Sequence, residues 1–277
     1  EQGKVTSVTL VQLYLARIHR YDDQLHAILT VNDKAVEAAR KLDEERRATG
    51  PRGPLHGIPI IVKDNYDTAD MPTTAGCVCL KDSIPDNDSE QVARLKAAGA
   101  IIIAKANLDE FAFNITTSSS LGGQTLNPYN LGHYPGGSSG GTGAAIAANF
   151  AAAGLGTDTG GSIRIPSSLN SLVGIRPTIG LSSRDGIIPL ALTQDVGGPM
   201  ARTVADAAAV LEATAGYDAK DLVTTQSVGR VPDSYLSYLD KEGLQGARVG
   251  VVTQLLSGTK AEQKEVNDIT LQAVKDM

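Results

Sequence analysis

A lysine and three serines in this sequence could do nucleophilic chemistry together. Ser138 and Ser139 sit in Gly136-Gly137-Ser138-Ser139-Gly140-Gly141, Ser162 sits in Asp158-Thr159-Gly160-Gly161-Ser162, and Lys63 ends the apolar run Ile58-Pro59-Ile60-Ile61-Val62. A serine hydroxyl is a weak nucleophile at its own pKa and needs a base beside it. Histidine, the usual base, is missing where it would be needed: His19, His26, His56 and His133 all precede Ser138. A neutral lysine can take that role, as in Ser-Lys variants of the catalytic triad, when burial or nearby positive dipoles bring its pKa toward neutrality. Lys63, at the end of an apolar strand, is placed for this.

Simpler readings of the glycine-serine clusters fail one by one. Gly136-Gly137-Ser138-Ser139-Gly140 satisfies G-x-S-x-G literally, but that elbow must follow a strand and needs a later histidine, whereas Asn130 to Pro135 is loop chemistry. A phosphate-binding loop needs a lysine beside its Ser or Thr, and none is present. A dinucleotide fingerprint needs a preceding strand and a third small residue. Glycines that only permit tight turns would account for a lone Gly-Ser pair. Two clusters together with a buried lysine ask for more.

The elements that would position these residues suggest an α/β layer fold. Amphipathic helices are expected from about Val8 to Tyr21 and from Asp33 to Arg47, the second ended by Gly50 and Pro51. Ile58–Val62 reads as a buried strand, Ser89 caps a helix stopped by Gly99, and "AIIIAKA" is a second buried strand. Leu108 to Phe113 is expected as a short helix, followed by a turn-rich loop in "NPYNLGHYPGG". Further on, Gly143 to Ala153 is helical, "GLGTDT" is a brief strand-like link, and Thr203 to Ala215 is helical. "ARVGVVT" reads as a strand, and Glu262 to Met277 as a helix that runs out, which suggests a piece of something longer.

Bulk properties narrow the function classes. The chain has 277 residues, 42% of them hydrophobic, enough for a buried core, and no repeat or interdomain linker stands out. A formal net charge of −6 with scattered signs provides neither a basic stripe for nucleic acid nor a polybasic arm for lipid. No apolar stretch is long enough to span a bilayer. Cys77 and Cys79, one residue apart, read as free thiols of a reducing compartment, which suggests a cytoplasmic location. The first residue is Glu1, so a signal peptide is either absent or already removed.

From about Val8 to at least Gly216 the sequence resembles the amidase signature enzymes. Two blocks carry the resemblance: Gly136-Gly137-Ser138-Ser139-Gly140-Gly141, and Gly154-x-Gly156-x-Asp158-x-Gly160-Gly161-Ser162-Ile163-Arg164-x-Pro166. It implies the amidase signature fold, a mixed and mostly parallel sheet covered by helices on both faces, with the C-terminal part missing. Residues 1–277 would form one domain, with N-terminal helices in 1–50 and the signature core in 51–216.

The resemblance also implies roles. Its Ser-Ser-Lys triad falls on Lys63, Ser138 and Ser162, with Ser162 as nucleophile and Ser138 as a bridging serine after a cis peptide bond. The oxyanion hole would come from the backbone N–H groups of Thr159, Gly160, Gly161 and Ser162, and both glycines should tolerate little change. Ser139, Asp158 and Arg164 would support the loop, and Thr116, Thr117 and Tyr129 would touch substrate. No cofactor and no metal are required.

The expected reaction is hydrolysis of an amide C–N bond through an acyl-enzyme, extending to aryl-amides, esters or carbamates. The partner is a small-molecule amide, without nucleic acid or membrane, and a homodimer is compatible with the sequence. Ser183 to Leu211 is worded more like stand-alone amidases, including bacterial peptide amidases, than like the alternative, the glutamine-using component of a glutamyl-tRNA(Gln) amidotransferase with its partner subunits and tRNA. An inactive scaffold that kept the fold is the third reading, and retention of all three triad residues argues against it.

Overall fold

The computed structural model describes residues 4–256, 258 and 260–277. Two compact units divide the chain, Glu1–Leu236 and Ser237–Met277. The expectation of one domain over residues 1–277 therefore bears on the first unit, which holds the whole signature core.

The N-terminal pair of helices is longer than periodicity suggests at one end each. Helix α1 spans Ser7–Leu25, because the buried stripe of Val11 and Ile18 continues to Leu25, and His26 ends it in the left-handed region at φ 54°. Strand β1 (Ile28–Val31) follows, and then helix α2 (Ala35–Thr49), closed by Gly50 at φ 86°. Asp43 of α2 accepts the free amides of Ser7 and Val8 at 2.8 and 3.1 Å, so one helix caps the start of the other.

Strand β2 (Pro59–Lys63), helix α3 (Glu90–Ala97) and strand β3 (Ile101–Ala106) form the expected strand, helix, strand succession. Ser89 precedes α3, but its side chain makes no capping hydrogen bond. Gly99 follows the helix at φ 86°. Between Asp109 and Phe113 only a 3₁₀ turn forms (Glu110–Ala112), because Phe111 and Ala112 are left-handed, at φ 51° and 59°.

A two-residue hairpin, β4 (Ser118–Ser119) with β5 (Gly123–Gln124), leads through the expected loop to helix α4 (Gly140–Ala147). In place of a brief strand-like link there is a full six-residue strand, β6 (Ala153–Asp158), and it truncates the helix expected to reach Ala153. Helix α5 (Arg164–Leu169), strand β7 (Val173–Gly174), strand β8 (Val196–Ala201) and helix α6 (Val204–Thr214) complete the first unit's regular elements.

The sheet order is β1-β3-β2-β6-β8-β7. β2 pairs in parallel with both β3 and β6, while β1, β8 and β7 join antiparallel, so the parallel part is confined to the three central strands. Alternate residues feed two cores. Ile61, Ile101 and Ile103 pack with Val11, Ala39 and Ile146 from α1, α2 and α4, whereas Ile60, Val62 and Ile102 pack with Val92, Leu95 and Val210 from α3 and α6. Helices thus cover both faces.

In the second unit, helix α7 spans Ala261–Asp276. "ARVGVVT" forms no strand: its residues are exposed and no ladder partner among the described residues pairs with them. Cys77 and Cys79 are joined in a disulfide, which corrects the free-thiol reading and removes its support for a reducing compartment. The extended backbone of Cys77 followed by the 3₁₀ turn Val78–Leu80 brings the two Cα atoms to 5.2 Å, within the range that a bridge spans. No helix among the described residues is long and apolar enough to cross a membrane.

Candidate active site

The parallel strands β2 and β6 end side by side, and in open α/β sheets the crevice beyond such carboxyl ends is where ligands bind. Lys63 is the last residue of β2 and Asp158 the last of β6. The loop into α4 brings Ser138 to the same place.

Lys63 is fully buried, and its Nζ lies 2.7 Å from Ser138 Oγ and 2.7 Å from Thr157 Oγ1. Burial disfavours the ammonium and brings its pKa down from 10.5 to about 7, against the opposing pull of Asp109, Asp158 and Asp195. A large fraction of this amine is therefore neutral near pH 7. Thr157 also accepts a hydrogen bond from Asn65 Nδ2 at 3.2 Å. Neither Thr157 nor Asn65 is singled out by the sequence reading: Thr157 fills an unspecified position of the second block, and Asn65 lies outside both blocks.

The peptide bond between Gly137 and Ser138 is cis. A side chain at Gly137 would run into Asp109 Oδ2, so this approach requires glycine. Asp109 itself accepts the amides of Thr116 and Ser118, each at 3.1 Å, which fixes the neighbouring loop.

Ser139 N donates to the carbonyl of Ser162 at 3.2 Å, tying the two serine clusters together through the backbone. The Ser139 hydroxyl donates to Thr157 O at 3.0 Å and accepts from Thr157 N at 3.2 Å, so it clamps the loop to β6. Among the described residues no hydrogen bond links the Ser138 and Ser162 hydroxyls, and none gives Ser162 Oγ a side-chain partner. Ser162 stands on the edge of an open cleft of about 420 Å³.

Asp158 organises the turn that carries Ser162. Its buried carboxylate accepts the amides of Gly161 (2.7 Å), Ile163 (3.0 Å) and Arg164 (3.3 Å), and is bridged by the guanidinium groups of Arg164 and Arg176, each at 3.1 Å. Burial pushes its pKa up, but the Arg164 hydrogen bonds and the three amides outweigh that and hold it at about 2. Arg176 is absent from the sequence reading because it lies eighteen positions from Asp158, outside the motif.

Of the four amides expected to line an oxyanion hole, that of Gly161 is engaged by Asp158 in this structure. Those of Thr159, Gly160 and Ser162 have no acceptor among the described residues. Gly161 adopts φ 137°, and a Cβ there would lie 2.7 Å from Ile165 Cδ1. At Gly160 a Cβ would meet nothing within 4 Å, so this glycine, unlike its neighbour, leaves room for a side chain.

The cleft is lined by Thr159, Gly160 and Ser162 together with the apolar side chains of Phe113, Ile115 and Leu190 and the amides of Asn114 and Gln194. None of the three residues expected to touch substrate lines it. Thr117 is buried and its hydroxyl donates to Gly136 O while accepting from Gly140 N, a loop-holding role. The Thr116 amide and hydroxyl are turned to Asp109, and Tyr129 borders a separate cavity with Arg17 and Phe150. No group of three or more His, Cys, Asp or Glu among the described residues could hold a metal ion.

Comparison with known proteins places this geometry. A family model described as Amidase matches residues 9–277. The A-type subunit of the glutamyl-tRNA(Gln) amidotransferase of Roseiflexus sp. is 42% identical over 276 residues, covering 99% of this chain and 56% of that protein. Among solved structures, the native peptide amidase from Stenotrophomonas maltophilia is 49% identical with a TM-score of 0.85, over 88% of this chain and 52% of that one. A peptide amidase PAM in complex with the competitive inhibitor chymostatin is 44% identical with a TM-score of 0.92, over 99% of this chain and 57% of that one. The chain spans about half the length of the curated relatives it matches. A family match across nearly every residue, and relatives above 40% identical over the same span, mean that the chain belongs to the amidase family.

Proposed function

We propose that this protein hydrolyses carboxylic amides through an acyl-enzyme on Ser162. One observation carries the reading: a fully buried lysine amine, with its pKa near 7, touching the hydroxyl of Ser138. In its neutral form Lys63 donates an N–H to Thr157 and offers its lone pair to Ser138. As Ser162 Oγ attacks the amide carbon, its proton passes to Ser138 Oγ and the Ser138 proton passes to Lys63 Nζ. The carbonyl π pair moves onto oxygen, where the unengaged amides of Thr159, Gly160 and Ser162 supply donors that need no reorganisation.

Collapse of this adduct breaks the C–N bond, and the departing nitrogen takes the proton back along the same relay. Water then attacks the ester, its proton travels the same route, and the acid leaves with Ser162 restored. The relay requires the Ser138 and Ser162 hydroxyls to meet in the substrate complex, where catalytic contacts often tighten. A fluorophosphonate, which labels activated serines, tests the reading together with hydrolysis of a panel of amides, anilides, esters and carbamates. Turnover and labelling that both vanish in Ser162→Ala support it, and turnover that persists overturns it.

The second reading is the glutamine-using component of a glutamyl-tRNA(Gln) amidotransferase, favoured by the names of relatives such as that of Roseiflexus. Against it stands the peptide amidase of Stenotrophomonas maltophilia, which is the more identical at 49%. Co-purification of partner subunits with the protein from its own host would favour the amidotransferase.

A further inference from the structure

Two lysines are fully buried on neighbouring parallel strands, Lys63 at the end of β2 and Lys105 in β3, and they meet different surroundings. Lys105 Nζ has four oxygens within reach: Thr68 Oγ1 at 3.2 Å, Pro72 O at 3.0 Å, Thr73 Oγ1 at 2.8 Å and the Asp64 carboxylate at 3.1 Å. An ammonium has three N–H groups to place, and this cage accepts them all. Among the described residues Lys63 Nζ has only the hydroxyls of Ser138 and Thr157, and no carboxylate in contact. As an ammonium it would keep a charged N–H unpaired in a buried site, where that costs most.

Asn65 narrows the supply of acceptors further. It is buried, its Nδ2 donates to Thr157 Oγ1 at 3.2 Å and to Ile188 O at 3.3 Å, and its Oδ1 has no partner among the described residues. The Ile188 backbone settles which end of the amide faces Thr157. Ile188 N donates to Asn65 O at 2.8 Å, which holds the two segments together, and a reversed amide would set Oδ1 against the Ile188 carbonyl oxygen, acceptor against acceptor. A threonine oxygen has two lone pairs, so with one taken by Asn65 a single one is left for Lys63.

The charged groups that face Lys63 are Asp109 after β3, Asp158 at the end of β6 and Asp195 before β8, and all three favour the ammonium. Asp64 is paired with Lys105 and Arg184 with Asp221, while helix α4, packed on β2, has no titratable residue. Asn65 acts in the opposite direction to the three carboxylates. We infer that Asn65 is a positioning residue for the base: by donating to Thr157 it occupies a lone pair that the Lys63 ammonium would use, and so helps to hold Lys63 in the uncharged form that the relay requires. The inference rests on Lys63 being that base.

The rate of fluorophosphonate labelling at Ser162 and kcat/KM for an unionised amide, each followed against pH in the full chain, test it. Asn65→Leu removes the donor at similar volume and should move the midpoint of the acid limb up by about half a unit. Asn65→Asp keeps the shape of the side chain, so it serves even if leucine strains the site, and should move the midpoint up by about 1–3 units by giving the ammonium a nearby counter-charge. In a Thr157→Val background Asn65→Leu should cause no further shift, because the two residues act through one oxygen. A midpoint that stays put in both Asn65 variants, or an Asn65→Leu shift that persists undiminished beside Thr157→Val, overturns the inference and leaves the proposed reaction standing. A limb that survives in Lys63→Ala overturns both.

Discussion

Lys63 Nζ and Ser138 Oγ lie 2.7 Å apart at the buried end of β2, where Lys63 is inaccessible to solvent. The contact joins a base whose pKa is near neutral to a hydroxyl on a different loop, and its consequences are measurable.

Because the amine must be neutral to accept a proton, kcat/KM for an unionised amide should rise with pH, about tenfold per unit below pH 7, and level off above it. Lys63→Ala should lose most of the activity and flatten this limb. An unchanged limb in the variant would remove the lysine from the reaction.

The same depression acts on stability. With a folded pKa of about 7 and an ordinary value of 10.5, the unfolded chain binds the extra proton between those limits. Wild type should therefore gain stability relative to Lys63→Met as pH rises from about 7 to 10, by at most ~1.4 kcal/mol per unit. Denaturant titrations of both proteins at several pH values measure it; parallel curves would mean that Lys63 is not depressed.

Thr157 accepts a hydrogen bond from Lys63 that is stronger when the amine is charged. Thr157→Val removes the acceptor at nearly constant volume, so the acid limb of the pH profile should shift down by about one unit. A profile that keeps its midpoint while only its height falls would assign Thr157 to packing alone.

Asp158→Asn removes the carboxylate that the turn amides and two guanidinium groups share, and because Arg164 and Arg176 both reach solvent the cost is about 1–2 kcal/mol, below that of a fully buried pair. Since the folded pKa lies at about 2, below the ordinary 3.8, this stability is present above 3.8 and is lost as pH falls toward 2. Unfolding midpoints of the two proteins should thus differ at pH 7 and converge in acid.

The chemistry is legible in sequence where side-chain type alone carries it. Ser138, Ser162 and Lys63 stand in fixed motifs, and burial of the lysine follows from the apolar run before it. What escapes depends on pairing between distant segments. Val196–Ala201, with two glycines and a proline, is given no element by the sequence reading, yet it pairs with β6 along its whole length, and its glycines fit there because Tyr66 and the Ile175 carbonyl leave no room for side chains at Gly197 and Gly198. Arg176 reaches Asp158 from another element, and Thr117 reads as a substrate contact because its sequence neighbourhood does not reveal that Gly136 and Gly140 take up its hydroxyl. "ARVGVVT" has the composition of a strand but no partner among the described residues.

The most direct measurement is peptide mass spectrometry of the protein after reaction with a fluorophosphonate. The account predicts one adduct, on Ser162, whose rate of formation follows the Lys63 limb of the pH profile and which is absent from Ser162→Ala. An adduct on Ser138 or Ser139 instead, or labelling that survives in Ser162→Ala, would contradict it.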